Sequence, residues 1–121
     1  MKTAQFRGKY GMKEGTTIGV EVSVFLYKED KIYYALCPAL DIIGYGNTEK
    51  EAKESFQIMI KEIITDAVRR GTLFAMLQAY GWDRTQPPKT TDLINRYEGL
   101  ADIINGKAYR AVQQRITIPC V

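Results

Sequence analysis

Residues 32–64 read IYYALCPALDIIGYGNTEKEAKESFQIMIKEII, and this stretch decides the fold. Ile32–Cys37 is rich in aromatic and apolar residues and reads as a strand. Pro38 has no N–H to give a ladder, so it ends or edges that strand. Leu40 returns to the core, and 41–46 makes a short strand closed by the turn signal Gly46-Asn47. Thr48 with Glu51 three residues on spells a capping box: the hydroxyl takes the Glu51 N–H and the carboxylate reaches back. Ala52, Phe56, Met59, Ile60, Ile63, Ile64 and Ala67 then fall on one helical stripe, with Lys53, Glu54, Lys61, Glu62 and Arg69 off it. Arg69 and Arg70 suit the negative end of the helix dipole, and Gly71 is the stop.

Upstream, Ile18, Val20, Val22, Val24 and Leu26 alternate with Gly19, Glu21, Ser23 and Phe25, a period of two that predicts a strand over 17–28. The polar run Lys28–Lys31 joins it to the next strand as a hairpin. The short piece 3–10 reads either as an edge strand or as a loose arm. Downstream, a helix is predicted from its N-cap Thr72 to Gly81, followed by the stiff connector 86–89 with two prolines. A second helix over 91–105 places Leu93, Ile94, Tyr97, Leu100, Ala101 and Ile104 on one face and ends at Gly106. Residues 108–119 read as a tail strand. The expectation is an α+β fold: an antiparallel three- to four-stranded sheet with one long helix packed across it, plus C-terminal helices and the tail strand. It forms a single domain over 1–121, with a core at 17–71 and an extension at 72–121.

A chain of 121 residues can bury a sizeable core without metal or disulfides. No apolar run approaches the roughly 20 residues of a membrane span. The first residues, MKTAQFRGKYGMKEG, carry lysines but no apolar stretch of a secretory signal, so a cytoplasmic location is expected. Net charge is +3, and no run of five like charges suggests a dedicated nucleic-acid patch. The chain has no histidine. That excludes Ser-His-Asp and Cys-His nucleophiles and His-ligated zinc. Two cysteines, Cys37 and Cys120, fit no zinc spacing and read as reduced thiols. The acids that remain for carboxylate–metal chemistry are Glu21, Asp41 and Asp66. Glu21 points outward and Asp41 sits in a turn, so solvated surface acids are the expectation. No cofactor, no metal and no enzymatic activity are expected.

Residues 20–70 resemble the HicB-like antitoxin domain. The matching residues are Tyr33, Tyr34 and Ala35; Cys37, Pro38 and Leu40; Gly44, Gly46 and Thr48; then Glu51 and Ala52. The resemblance implies a partial RNase H-like fold, three antiparallel strands with a helix across one face. It implies a protein that binds and neutralises a small mRNA-cleaving toxin. Many members of that family add a C-terminal DNA-binding helix-turn-helix or ribbon-helix-helix. After Gly71 the order here is helix, connector, helix, strand.

Residues surplus to folding are the aromatic ones on the sheet and the acids on the helix flank. Tyr33, Tyr45, Glu54 and Glu62 are the candidate partner surface, for a small toxin protein. An alternative is a stand-alone RNA-binding domain without catalytic activity, in which Tyr27, Tyr33, Tyr34, Tyr45 and Phe25 stack bases beside Lys28 and Lys31. A homodimer through the tail strand or the 72–81 helix is a further expectation, because sheet edges invite pairing. No membrane contact is expected.

Overall fold

The computed structural model of the protein describes residues 17–96, 98–106 and 108–119. In chain order it has β1 (Thr17–Glu29), β2 (Ile32–Cys37), β3 (Ile42–Gly46), α1 (Glu49–Arg70), α2 (Leu73–Ala79), α3 (Thr90–Arg96), α4 (Glu98–Gly106) and β4 (Tyr109–Pro119). The four strands form one antiparallel sheet in the order β3-β2-β1-β4, which is the expected α+β class. The piece 3–10, read as an edge strand or a loose arm, and the thiol of Cys120 lie outside the described residues.

β1 is the spine of the sheet. It pairs with β2 from Phe25 to Glu29 and with β4 from Thr17 to Tyr27. Its alternation buries Ile18, Val20, Val22, Val24 and Leu26, while Gly19 and Glu21 face solvent. Phe25 breaks the simple pattern: it lies on the outward face and is nevertheless buried, as is its cross-strand partner Leu36. The β1–β2 connection is a two-residue turn with Asp30 at φ 52° and Lys31 at φ 71°. Two left-handed residues match the right-handed twist of the hairpin.

α1 lies flush on β3 and β2 because β3 has no side chains on that face at two positions. A Cβ on Gly44 would sit 2.5 Å from the Phe56 nitrogen and 2.6 Å from the Ala52 oxygen. A Cβ on Gly46 would sit 2.5 Å from the Glu51 Cβ. Ala35 and Ala52 are fully buried at the same contact. The helix begins as its capping residues dictate: the Glu51 N–H donates to the Thr48 hydroxyl at 3.1 Å. The Glu51 carboxylate reaches back one residue further than the usual box and accepts from the Asn47 N–H at 2.9 Å. Gly71, left-handed at φ 69°, ends the helix.

The C-terminal third belongs to the same core. Leu73 and Leu77 of α2, Trp82, Leu93 of α3, Leu100 and Ile103 of α4, and Ile116 and Ile118 of β4 join the strands and α1 in one buried cluster. The Trp82 indole N–H donates to the Ala39 carbonyl at 2.6 Å, tying the segment after α2 to the turn after β2. Two expectations change here. The single helix over 91–105 is two helices, and Tyr97, placed on its apolar face, lies outside the described residues. The face of α4 turns accordingly, burying Leu100 and Ile103 while Ile104 is only half-buried. Thr72 precedes α2 but makes no side-chain cap; its hydroxyl donates to the Ala67 carbonyl at 3.5 Å. Among the described residues, no helix is long and apolar enough to cross a membrane.

Candidate partner-binding surfaces

The two faces of the sheet follow from its register, since residues opposite one another across a ladder share a face. Gly44 meets α1, so Ala35, Leu26 and Arg110, its partners across the sheet, also face the helix. The adjacent row faces away: Tyr45 on β3, Tyr34 on β2, Tyr27 on β1 and Tyr109 on β4 stand opposite one another across all four strands. The rings of Tyr27 and Tyr34 stack on each other, centroids 5.1 Å apart and planes 21° from parallel. Tyr109 leans against Phe25 at 5.7 Å. The outer ends of the row are open, with Tyr45 64% and Tyr109 41% exposed.

This arrangement separates the predicted site residues. Tyr33 lies on the α1 side, half-buried, with the Lys28 ammonium 5.2 Å over its ring. Tyr45 lies on the opposite face. Glu54 and Glu62 are exposed on α1, Glu54 with Lys50 3.8 Å away. The four therefore do not share one face. The row also alters the base-stacking expectation. Tyr27 and Tyr34 spend their ring faces on each other, and the next row, Phe25 and Leu36, is buried. Tyr109 is the member of the row that sequence reasoning missed. The sequence predicts the tail strand but not its register, and only the pairing with Tyr27 aligns it.

α1 presents two unlike ridges. On the β3 side, Ser55 accepts the Tyr45 N–H at 3.4 Å, which covers the sheet edge there. Glu51, Met59, Glu62 and Asp66 lie on the same ridge by helical spacing. Asp66 is engaged by Arg69 and Arg70. On the β4 side, Glu49, Lys53, Gln57, Lys61 and Thr65 repeat every fourth residue. Glu49 forms an ion pair with Arg110 of β4. Gln57, Lys61 and Thr65 line a groove of about 320 Å³ whose other wall is Gln114–Thr117 and Pro119, over a floor of Phe56, Ile60, Ile64 and Ile116. A second cleft of about 260 Å³ opens at the start of β4, between Lys28, Tyr33, Glu49, Tyr109 and Arg110.

The remaining candidates are quiet. Cys37 is fully buried; burial, partly offset by the Leu40 and Ala39 backbone groups, pushes its thiol up to about 12, so it stays protonated at neutral pH. Glu21, Asp41 and Asp66 do not converge, and among the described residues no cluster of acids and cysteines could hold a metal ion. Arg115 stands opposite Glu21 on the face away from α1, and its guanidinium lies over Gly19. The tail strand expected at a sheet edge pairs with β1 of its own chain. No family model matches the chain, and no curated protein or solved structure matches it.

Proposed function

We propose that the chain is a non-enzymatic binding protein of the HicB-like antitoxin type, which binds and neutralises a small mRNA-cleaving toxin. The observation that carries this reading is the apolar strip left open on β3. Ile43 and Tyr45 stand two residues apart on the face away from α1, 37% and 64% exposed, beside the acidic ridge of α1. An exposed aromatic anchor with a charged rim is the anatomy of a protein interface. Tyr45 supplies the anchor, while Glu62 on the β3-side ridge of α1 gives an acidic rim for a basic partner. The residues that carry the family resemblance serve as scaffold: Gly44 and Gly46 bring the helix down, Thr48 caps it, and Ala52 fills the contact.

The test is co-expression of the tagged chain with the product of a small neighbouring reading frame that arrests growth by cleaving mRNA. Growth is expected to recover and the two proteins to co-purify in fixed ratio. Tyr45→Ala is expected to weaken the complex by about 30-fold, the scale of a 2 kcal/mol hot spot. Undiminished arrest with no complex would contradict the proposal.

A further inference from the structure

The two edges of the sheet are built differently. β3 is five residues long, and the Ser55 hydroxyl takes the Tyr45 N–H there. β4 runs eleven residues in unbroken register with β1. The hairpin tells which groups of β4 point outward. Glu29 and Ile32 flank a two-residue turn, so they exchange both backbone hydrogen bonds, and bonded pairs alternate along the ladder from there. β1 thus gives β2 the backbone groups of Glu29, Tyr27 and Phe25, and gives β4 those of Leu26, Val24, Val22 and Val20. Their partners on β4 are Arg110, Val112, Gln114 and Ile116. The N–H and C=O groups of Tyr109, Ala111, Gln113, Arg115 and Thr117 are left pointing away from β1. The Arg115 carbonyl agrees: it accepts from the Gln114 side-chain amide at 3.1 Å. Among the described residues, no backbone hydrogen bond from another element reaches this edge.

An open edge is ordinarily guarded by outward charges, proline or a bulge. Here the long polar side chains of β4 turn inward. Arg110 pairs with Glu49 of α1. Gln113 donates to the Ser23 hydroxyl at 2.9 Å. Arg115 lays its guanidinium over Gly19, in the space that a side chain on β1 would fill. Pro119 guards only the last position.

We propose that this edge pairs antiparallel with the same edge of a second copy, about a two-fold axis at Gln113. The product is one continuous sheet of eight strands, four from each copy. The outward groups run from Tyr109 to Thr117 and are centred on Gln113, so that axis gives every one of them a partner. It sets Ala111 opposite Arg115, Tyr109 opposite Thr117 and Arg110 opposite Ile116, with no like charges facing. An axis one residue later would set Tyr109 against Pro119, which has no N–H, and bring the two Arg115 side chains onto a diagonal. The strand is thus complementary to itself, which selects a second copy over an unrelated strand. The Tyr45 strip lies at the other edge of each sheet and stays open in the dimer. This inference is therefore independent of toxin binding, and either can fail alone.

The experiment is sedimentation velocity of the full chain over a range of concentrations. A reversible dimer is expected. Ala111→Lys puts a cation opposite Arg115 of the second copy, twice per dimer, and is expected to weaken association about ten-fold. Ala111→Glu puts an anion there and is expected not to weaken it. Ala111 is exposed and faces uncharged Phe25 on its own β1, so folding of the single chain does not separate the two variants by charge. Amide exchange reads the same contact: the N–H groups of Ala111, Gln113 and Arg115 are expected to slow as concentration rises, while those of Val112 and Gln114 are slow throughout. A monomer up to about 1 mM, the weak end of specific association, overturns the proposal. Equal loss in both Ala111 variants overturns it, as does a dimer in which exchange at Gln113 ignores concentration.

Discussion

A single methyl group is enough to part α1 from the sheet. At Gly44 the added carbon would press on the Phe56 nitrogen and the Ala52 oxygen, and both are backbone atoms inside a helix that cannot swing aside. Gly44→Ala is therefore expected to cost about 3 kcal/mol, the upper end for overpacking. A lower urea midpoint at unchanged m-value would report it, and an unaltered midpoint would refute the flush packing. At this scale the sequence was half legible. Gly44 and Gly46 stood out as motif residues, but a glycine in a strand has several uses, and only the position of Phe56 and Ala52 assigns this one. Tyr33 and Tyr45 show the same limit. The sequence offers both as one partner surface, yet the register sends Tyr33 beneath Lys28 and Tyr45 into solvent on the opposite face.

At the scale of elements, α1 was legible from end to end because its signals are local. The Thr48 cap, the apolar stripe and the Gly71 stop each act within a turn or two. Thr48→Ala is expected to cost about 1 kcal/mol in thermal or chemical denaturation, since one N-terminal N–H loses its acceptor. The bond from the Asn47 N–H to Glu51 survives the change, so a loss much beyond 2 kcal/mol would mean that Thr48 does more than cap. The segment after the prolines was less legible. Its apolar spacing fits one continuous helix, whereas α3 and α4 are separate and bury Leu93, Leu100 and Ile103. A short helix draws most of its stability from the surface it packs on, so local periodicity does not decide where it breaks.

At the scale of the molecule, the tail strand is structural. β4 pairs with β1 over eleven residues and contributes Ile116 and Ile118 to the core. Truncation after Gly106 would uncover Ile18, Val20, Val22 and Val24 along with the long edge of β1. The shortened chain is expected to lose its cooperative thermal transition and to aggregate, as an exposed long edge favours. A sharp transition near that of the full chain would show instead that residues 1–106 fold without β4.

The division between sequence and tertiary structure follows the range of the forces. Alternation in β1, the proline and glycine punctuation of 32–46 and the capped amphipathic helix are short-range patterns, and they determined the strand–strand–strand–helix unit and the α+β class. The absence of histidine likewise settled, from composition alone, which chemistries the chain lacks the groups to perform. What only the tertiary structure decided is the pairing of β1 with β4, from Thr17 with Pro119 to Tyr27 with Tyr109. Joining β4 to β1 sets Tyr109 beside Tyr27 and Arg110 beside Glu49, and it closes the groove between α1 and β4 that Gln57, Lys61 and Thr65 line. No spacing in the chain announces those meetings. The residues meet because closing the long connection buries a shared core, and that gain is collective and has no local signature.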